Sequence, residues 1–183
     1  IVLFGGRLSY WKGGDAIIDA MQEVVKTIPD AHLLVAGQIE EYARHMQQRI
    51  AGTPLETRTV FTGWISQEEM AAVYSIATIC VVPSIYFDPF NLFNIEAMAA
   101  STPVVGTTFG GTPEIQIDGE TGYIVNPHDT LQFAKRIIDL LRNPTLVKSM
   151  GESARARYID HFQLSRYAKE TIQHYQRALR RMS

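Results

Sequence analysis

Residues 79–106 read Ile79-Cys80-Val81-Val82-Pro83-Ser84-Ile85-Tyr86-Phe87-Asp88-Pro89-Phe90-Asn91-Leu92-Phe93-Asn94-Ile95-Glu96-Ala97-Met98-Ala99-Ala100-Ser101-Thr102-Pro103-Val104-Val105-Gly106. One short apolar run opens the stretch and another closes it. Between them lie a loop bearing Pro and Asn and a helix-favouring segment, 92–100. Short, continuously apolar strands on either side of a helix are the repeating unit of a parallel sheet buried on both faces. A helix that opens near Asn91 turns its free backbone N–H groups and positive dipole end toward the loop, a setting suited to phosphate. Asp88 then stands before the helix and Glu96 about one turn inside it. Carboxylates accept hydrogen bonds from hydroxyl pairs, so two acids around an anion site suit a sugar on one side and a ribose on the other.

The same alternation runs along the whole chain. Strands are expected at 1–4, 32–36, 59–62, 79–82, 104–106 and 123–125, and helices at 14–27, 40–51, 67–75, 92–100, 130–142, 144–159 and 164–181. The pattern predicts an open, doubly wound α/β sheet. Boundary signals agree. Pro29-Asp30 stops the first helix, Ser66 to Glu69 has capping-box spacing, and Pro144 stands in the first turn of its helix. There are no internal repeats and no interdomain linker, so residues 1–183 are read as one domain.

The 183 residues are 46% hydrophobic and 20% charged, which suits one globular domain with a normal core. A net charge of −2 gives no general attraction to nucleic acid. The single cysteine, Cys80, reads as a buried strand residue and fits a reducing, cytoplasmic compartment. No apolar run has the length of a transmembrane segment. The five histidines show no metal-ligand spacing, so no metal is expected. No G-x-S-x-G elbow supports a hydrolase.

A second chemistry-bearing segment, Gly5-Gly6-Arg7-Leu8-Ser9-Tyr10-Trp11-Lys12-Gly13-Gly14, joins the first strand to the first helix. Glycines let backbone approach a ligand closely, and Arg7 and Lys12 put two cations at the carboxyl edge of the sheet. A diphosphate needs several donors and charge neutralisation. Taken alone, the segment reads equally well as a Gly-rich turn with two solvated bases.

The acidic stretch resembles the donor-site signature of retaining glycosyltransferases of family 4, E-P-F-G-L-V-x-L-E-A-M-A-x-G-x-P-V-V, with Asp88, Asn91 and Ser101 as departures. The glycine-rich segment is similar to the family's G-R-L-x-x-x-K-G. The resemblance extends from Gly5 to about Phe162. It implies a Rossmann-like doubly wound sheet that is the C-terminal half of a GT-B fold, with no cofactor. It also implies a nucleotide diphosphate sugar as ligand and transfer of the sugar, with retention, to an acceptor glycan or lipid. Polysaccharide or glycolipid synthesis, with peripheral membrane association, would fit. The implied catalytic residues are Arg7, Lys12, Asp88 and Glu96. The implied substrate-binding residues are Gly6, Gly37, Gly63, Trp64, Ile65, Phe90, Asn91, Leu92 and Phe93. Family motifs place Gly37 and Gly63 to Ile65 beside the nucleoside, although Trp64 is also read as a packing residue.

The chain opens in mid-strand without methionine. It is therefore expected to be one half of a two-domain enzyme, inactive without an N-terminal acceptor domain. Asp88 is shorter than glutamate by about 1.5 Å of reach. Asn91 is expected to hold a left-handed or tight backbone in place of glycine, and Ser101 to be a poorer occupant of a helix-end glycine site. Glu96 falls on an apolar helix face, where a carboxylate needs partners. Glu114 is expected to complement a short helix's dipole. The basic end, Arg177, Arg180 and Arg181, reads as solvated or as packed on a partner domain. Two other classes remain open: a phosphorylase or epimerase on the same fold, and a degenerate, non-catalytic partner-binding domain.

Overall fold

The computed structural model describes residues 1–182. Six strands form one parallel sheet: β1 (Val2–Gly5), β2 (Leu33–Ala36), β3 (Thr59–Gly63), β4 (Ile79–Val82), β5 (Val104–Thr107) and β6 (Gly122–Val125). Their spatial order is β3-β2-β1-β4-β5-β6. The helices are α1 (Gly14–Thr27), α2 (Glu41–Ile50), α3 (Gln67–Ile76), α4 (Leu92–Ala99), α5 (Thr112–Ile115), α6 (Thr130–Leu141), α7 (Pro144–His161) and α8 (Leu164–Met182). A single 3-10 turn, Tyr10–Lys12, precedes α1.

Alternation along each strand builds two cores. Val2 and Phe4 of β1, with Ile79 and Val81 of β4, meet α1 and α6 on one face. Leu3, Cys80 and Val82 point the other way, toward Tyr74 and Ala97 of α3 and α4. Both faces are buried, as the apolar strand runs require. α7 covers α4 through Ala154, which packs with Ile95 and Met98. α8 contrasts with the rest: over 164–181 its residues are exposed apart from the half-buried Thr171.

The chain runs outward from β1 to β3 and then returns to β4 on the other side of β1. The loops after β1 and β4 therefore flank the switch point, where ligands bind in open α/β sheets. Gly13 makes their approach feasible. It holds φ 80°, and a Cβ there would collide with the Pro83 carbonyl.

Candidate functional site

Asn91 caps α4: its side chain accepts from the Asn94 amide at 3.2 Å. Its φ of −82° corrects the expected left-handed backbone. Capping, rather than a glycine-like conformation, is what an asparagine offers at this point. The amides of Leu92 and Phe93 have no capping partner among the described residues, so the start of α4 keeps donors for an anion.

A cleft of about 470 Å³ lies at the carboxyl ends of β1, β2 and β3, against α3 and α4. It brings together Gly6, Arg7, Gly37, Trp64, Ile65, Leu92, Phe93 and Glu96. Trp64 is 70% exposed, so it forms a wall of the cleft rather than part of a packed core. Leu8, Ala36, Gln38, Glu40, Met70 and Tyr74 complete the lining and were not anticipated. Tyr74 matters most among these. It donates to Glu96 Oε2 at 2.7 Å and supplies the partner that a half-buried carboxylate needs. Burial, then the bond to Glu96, raises the Tyr74 phenol well above its ordinary range, so it stays a proton donor. The i, i+4 pair Met70 and Tyr74 on α3 was the available signal, since such residues share a helix face.

Lys12 and Asp88 sit together outside that lining. Lys12 Nζ contacts Asp88 Oδ2 at 2.5 Å, and Asn91 Nδ2 donates to the same oxygen at 3.0 Å. Burial alone would raise the Asp88 carboxyl, but the hydrogen bond and charge of Lys12 outweigh it and the net shift is downward. Burial alone would lower the Lys12 ammonium; its bonds to Asp88 and Tyr86 win, and the net shift is upward. Both groups are thus held charged at neutral pH.

Gly63, Phe90 and Asn91, also expected at the site, lie off the cleft lining as well. Gly63 ends β3 with φ 76° and accepts from the Gly37 amide at 3.1 Å, so it shapes the wall from behind. Phe90 is turned toward α7, its ring 6.3 Å from that of Phe162. Glu114 opens α5, where it faces the positive end of that short helix. Among the described residues, no three His, Cys, Asp or Glu side chains gather as a metal site. No helix there is long and apolar enough to cross a membrane.

A parallel sheet in this order, with a cleft and cationic loops at its carboxyl edge, defines a ligand-binding α/β domain of the doubly wound class. Residues 1–157 match the model of the glycosyl transferases group 1, and the chain belongs to that family. It is 33% identical to the D-inositol 3-phosphate glycosyltransferase of Corynebacterium aurimucosum, over 94% of this chain and 41% of that protein. Sucrose-phosphate synthase from Thermosynechococcus elongatus superposes with a TM-score of 0.89 at 31% identity, over 97% of this chain and 45% of that one. Anabaena HepE, solved in complex with UDP-glucose, shares the fold with a TM-score of 0.87 at 23% identity, over 96% and 48%. The chain spans less than half the length of the curated relatives it matches. The Rossmann-like sheet of a GT-B glycosyltransferase is therefore the fold of this chain.

Proposed function

We propose that this group 1 glycosyltransferase domain binds a nucleoside diphosphate sugar and presents it for transfer, with retention, to an acceptor hydroxyl. The observation that carries this reading is the one cleft shared by Arg7, Glu96, Trp64 and the start of α4, whose Leu92 and Phe93 amides have no capping partner among the described residues. Glu96, braced by Tyr74, is set to accept from ribose hydroxyls. Backbone and rings near Gly37, Trp64 and Ile65 suit a base. Arg7 and the Leu92 and Phe93 amides suit the diphosphate. As the bond from the anomeric carbon to the diphosphate oxygen breaks, negative charge grows on the leaving group. Fixed cations and amides at that point lower the barrier. Lys12 supplies further positive charge, while Asp88 faces the sugar's hydroxyls. UDP is the first nucleotide to test, because HepE is described with UDP-glucose. In this reading the acceptor site lies mainly on a further, N-terminal domain, and the 183-residue chain binds donor without turnover.

Isothermal titration of the chain with UDP, GDP and ADP tests the reading. One of the three should bind. Arg7→Ala and Glu96→Ala should each weaken it about tenfold, or about 1.4 kcal/mol. A folded chain that binds none of the three would overturn the proposal and favour a non-catalytic, partner-binding role.

A further inference from the structure

Glu96 has open space on two sides. It lines the cleft described above, and it also lines a second cavity of about 360 Å³ between α3 and α4, walled by Gln67, Ala71, Ser75, Ala99 and Ala100. Met70 and Tyr74 line both spaces. Shape alone therefore leaves the carboxylate two directions in which to point. One bond chooses between them: the Tyr74 hydroxyl donates to Glu96 Oε2 at 2.7 Å, while Oε1 has no partner among the described residues.

Tyr74 itself has little freedom. It is 3% exposed and packs in the same core as Leu3, Cys80 and Ala97. Its ring centroid lies 5.2 Å from that of Phe93, in the first turn of α4. Its backbone carbonyl accepts from the buried Thr102 Oγ1 at 2.9 Å, just past the other end of α4. The two ends of α4 thus fix the phenol, and the phenol fixes the carboxylate. Burial keeps that phenol protonated throughout the neutral range, so titration does not release the bond.

We infer that Tyr74 is a positioning residue through which the site distinguishes a ribonucleotide from its 2′-deoxy counterpart. The inference rests on the glycosyl-transfer reading above and adds the ligand feature that a held carboxylate selects. Two neighbouring ribose hydroxyls both reach one carboxylate only when its plane is held toward them. A carboxylate held in this way cannot turn aside when one hydroxyl is missing. It is left with an acceptor stripped of water and unpaired, and a site built to pair a hydroxyl rejects the ligand that lacks it. Without the Tyr74 bond, the carboxylate can swing into the second cavity and regain water there. The ribonucleotide then loses affinity and the deoxynucleotide does not. A role for Tyr74 in packing alone has another signature, because it would weaken both ligands alike.

Isothermal titration tests this on the parent chain and on Tyr74→Phe, which removes the phenol oxygen and keeps the ring against Phe93. The ligands are UDP, GDP and ADP, each paired with its 2′-deoxy form. For the nucleotide that binds, the parent should prefer the ribose form by about tenfold, short of the roughly 10⁴-fold of a fully enclosed site because Glu96 is half-buried. In Tyr74→Phe that preference should fall to about threefold or less, with the deoxynucleotide bound within about twofold of its parent affinity. A parent without the preference would overturn the inference, as would a variant that keeps it or that weakens both forms equally. So would a Tyr74→Phe chain that circular dichroism shows to be unfolded, since the phenol oxygen would then be structural. In each of these cases binding to the parent leaves the glycosyl-transfer reading standing. A folded parent that binds none of the three nucleotides overturns both.

Discussion

Asp88 is the residue in which structure and chemistry are most tightly coupled. One of its oxygens takes hydrogen bonds from both Lys12 and Asn91, and its side chain is largely buried. A carboxyl whose folded pKa is depressed contributes stability that is complete above its unfolded value and lost as pH falls through the folded value. The unfolded value is about 3.9. Asp88→Asn should therefore destabilise the chain by about 1–3 kcal/mol at pH 7, since a bond to a charged group is lost. The gap between parent and variant should narrow as the pH drops below about 4. Urea midpoints measured at pH 7 and pH 3 check this; an equal gap at both would mean that the Lys12–Asp88 pair contributes nothing. Lys12 has the opposite sign. Its raised ammonium contributes at neutral pH, and that contribution is lost only on the alkaline side.

At the scale of elements, α4 shows how a family position can tolerate substitution. Its carboxyl end is a Schellman closure: the Ser101 amide donates to the Met98 carbonyl and the Thr102 amide to the Ala97 carbonyl. Ser101 holds φ 60° and is the one non-glycine residue with positive φ among those described. Ser101→Gly should raise stability by about 0.5–1 kcal/mol, read as a shift in urea midpoint at unchanged slope. The strands, most helices, the α4 start, the Ser66–Glu69 capping box and the buried Cys80 were legible because each is written in local periodicity or local hydrogen-bonding residues. The 3-10 turn at Tyr10–Lys12 was not, since three residues carry no period. The Tyr74–Glu96 bond spans two helices, and the Lys12–Asp88 pair joins residues 76 positions apart. Such partners are chosen by how the sheet winds, which no local pattern encodes. The same reason hid the division of the expected site into a cleft with Arg7 and Glu96 and a neighbouring ion pair.

At the scale of the whole molecule, the last two helices contribute very differently. α7 buries Met150, Gly151 and Ala154. Arg157 on the same helix ties it to α5 through the Ile115 and Glu114 carbonyls at 2.6 and 2.7 Å. α8 has an apolar stripe, Leu164, Tyr167, Ile172 and Tyr175, and all four are exposed. Its polar face carries Arg166, Lys169, Arg177, Arg180 and Arg181 against the single acid Glu170. Burial is the main source of stability and α8 contributes little of it. Ending the chain after Gln163 should therefore shift Tm by less than about 3 °C, within about 1 kcal/mol for a chain of this size. Ending it after Arg142 removes α7 as well and uncovers α4, the helix whose start is the proposed anion site. That shorter chain should lose cooperative melting and UDP binding together, because Ile95 and Met98 would face water. Circular dichroism melting and UDP titration of both truncations separate the two cases. A large loss of Tm from the first cut alone would show that α8 packs on the body of the chain in solution.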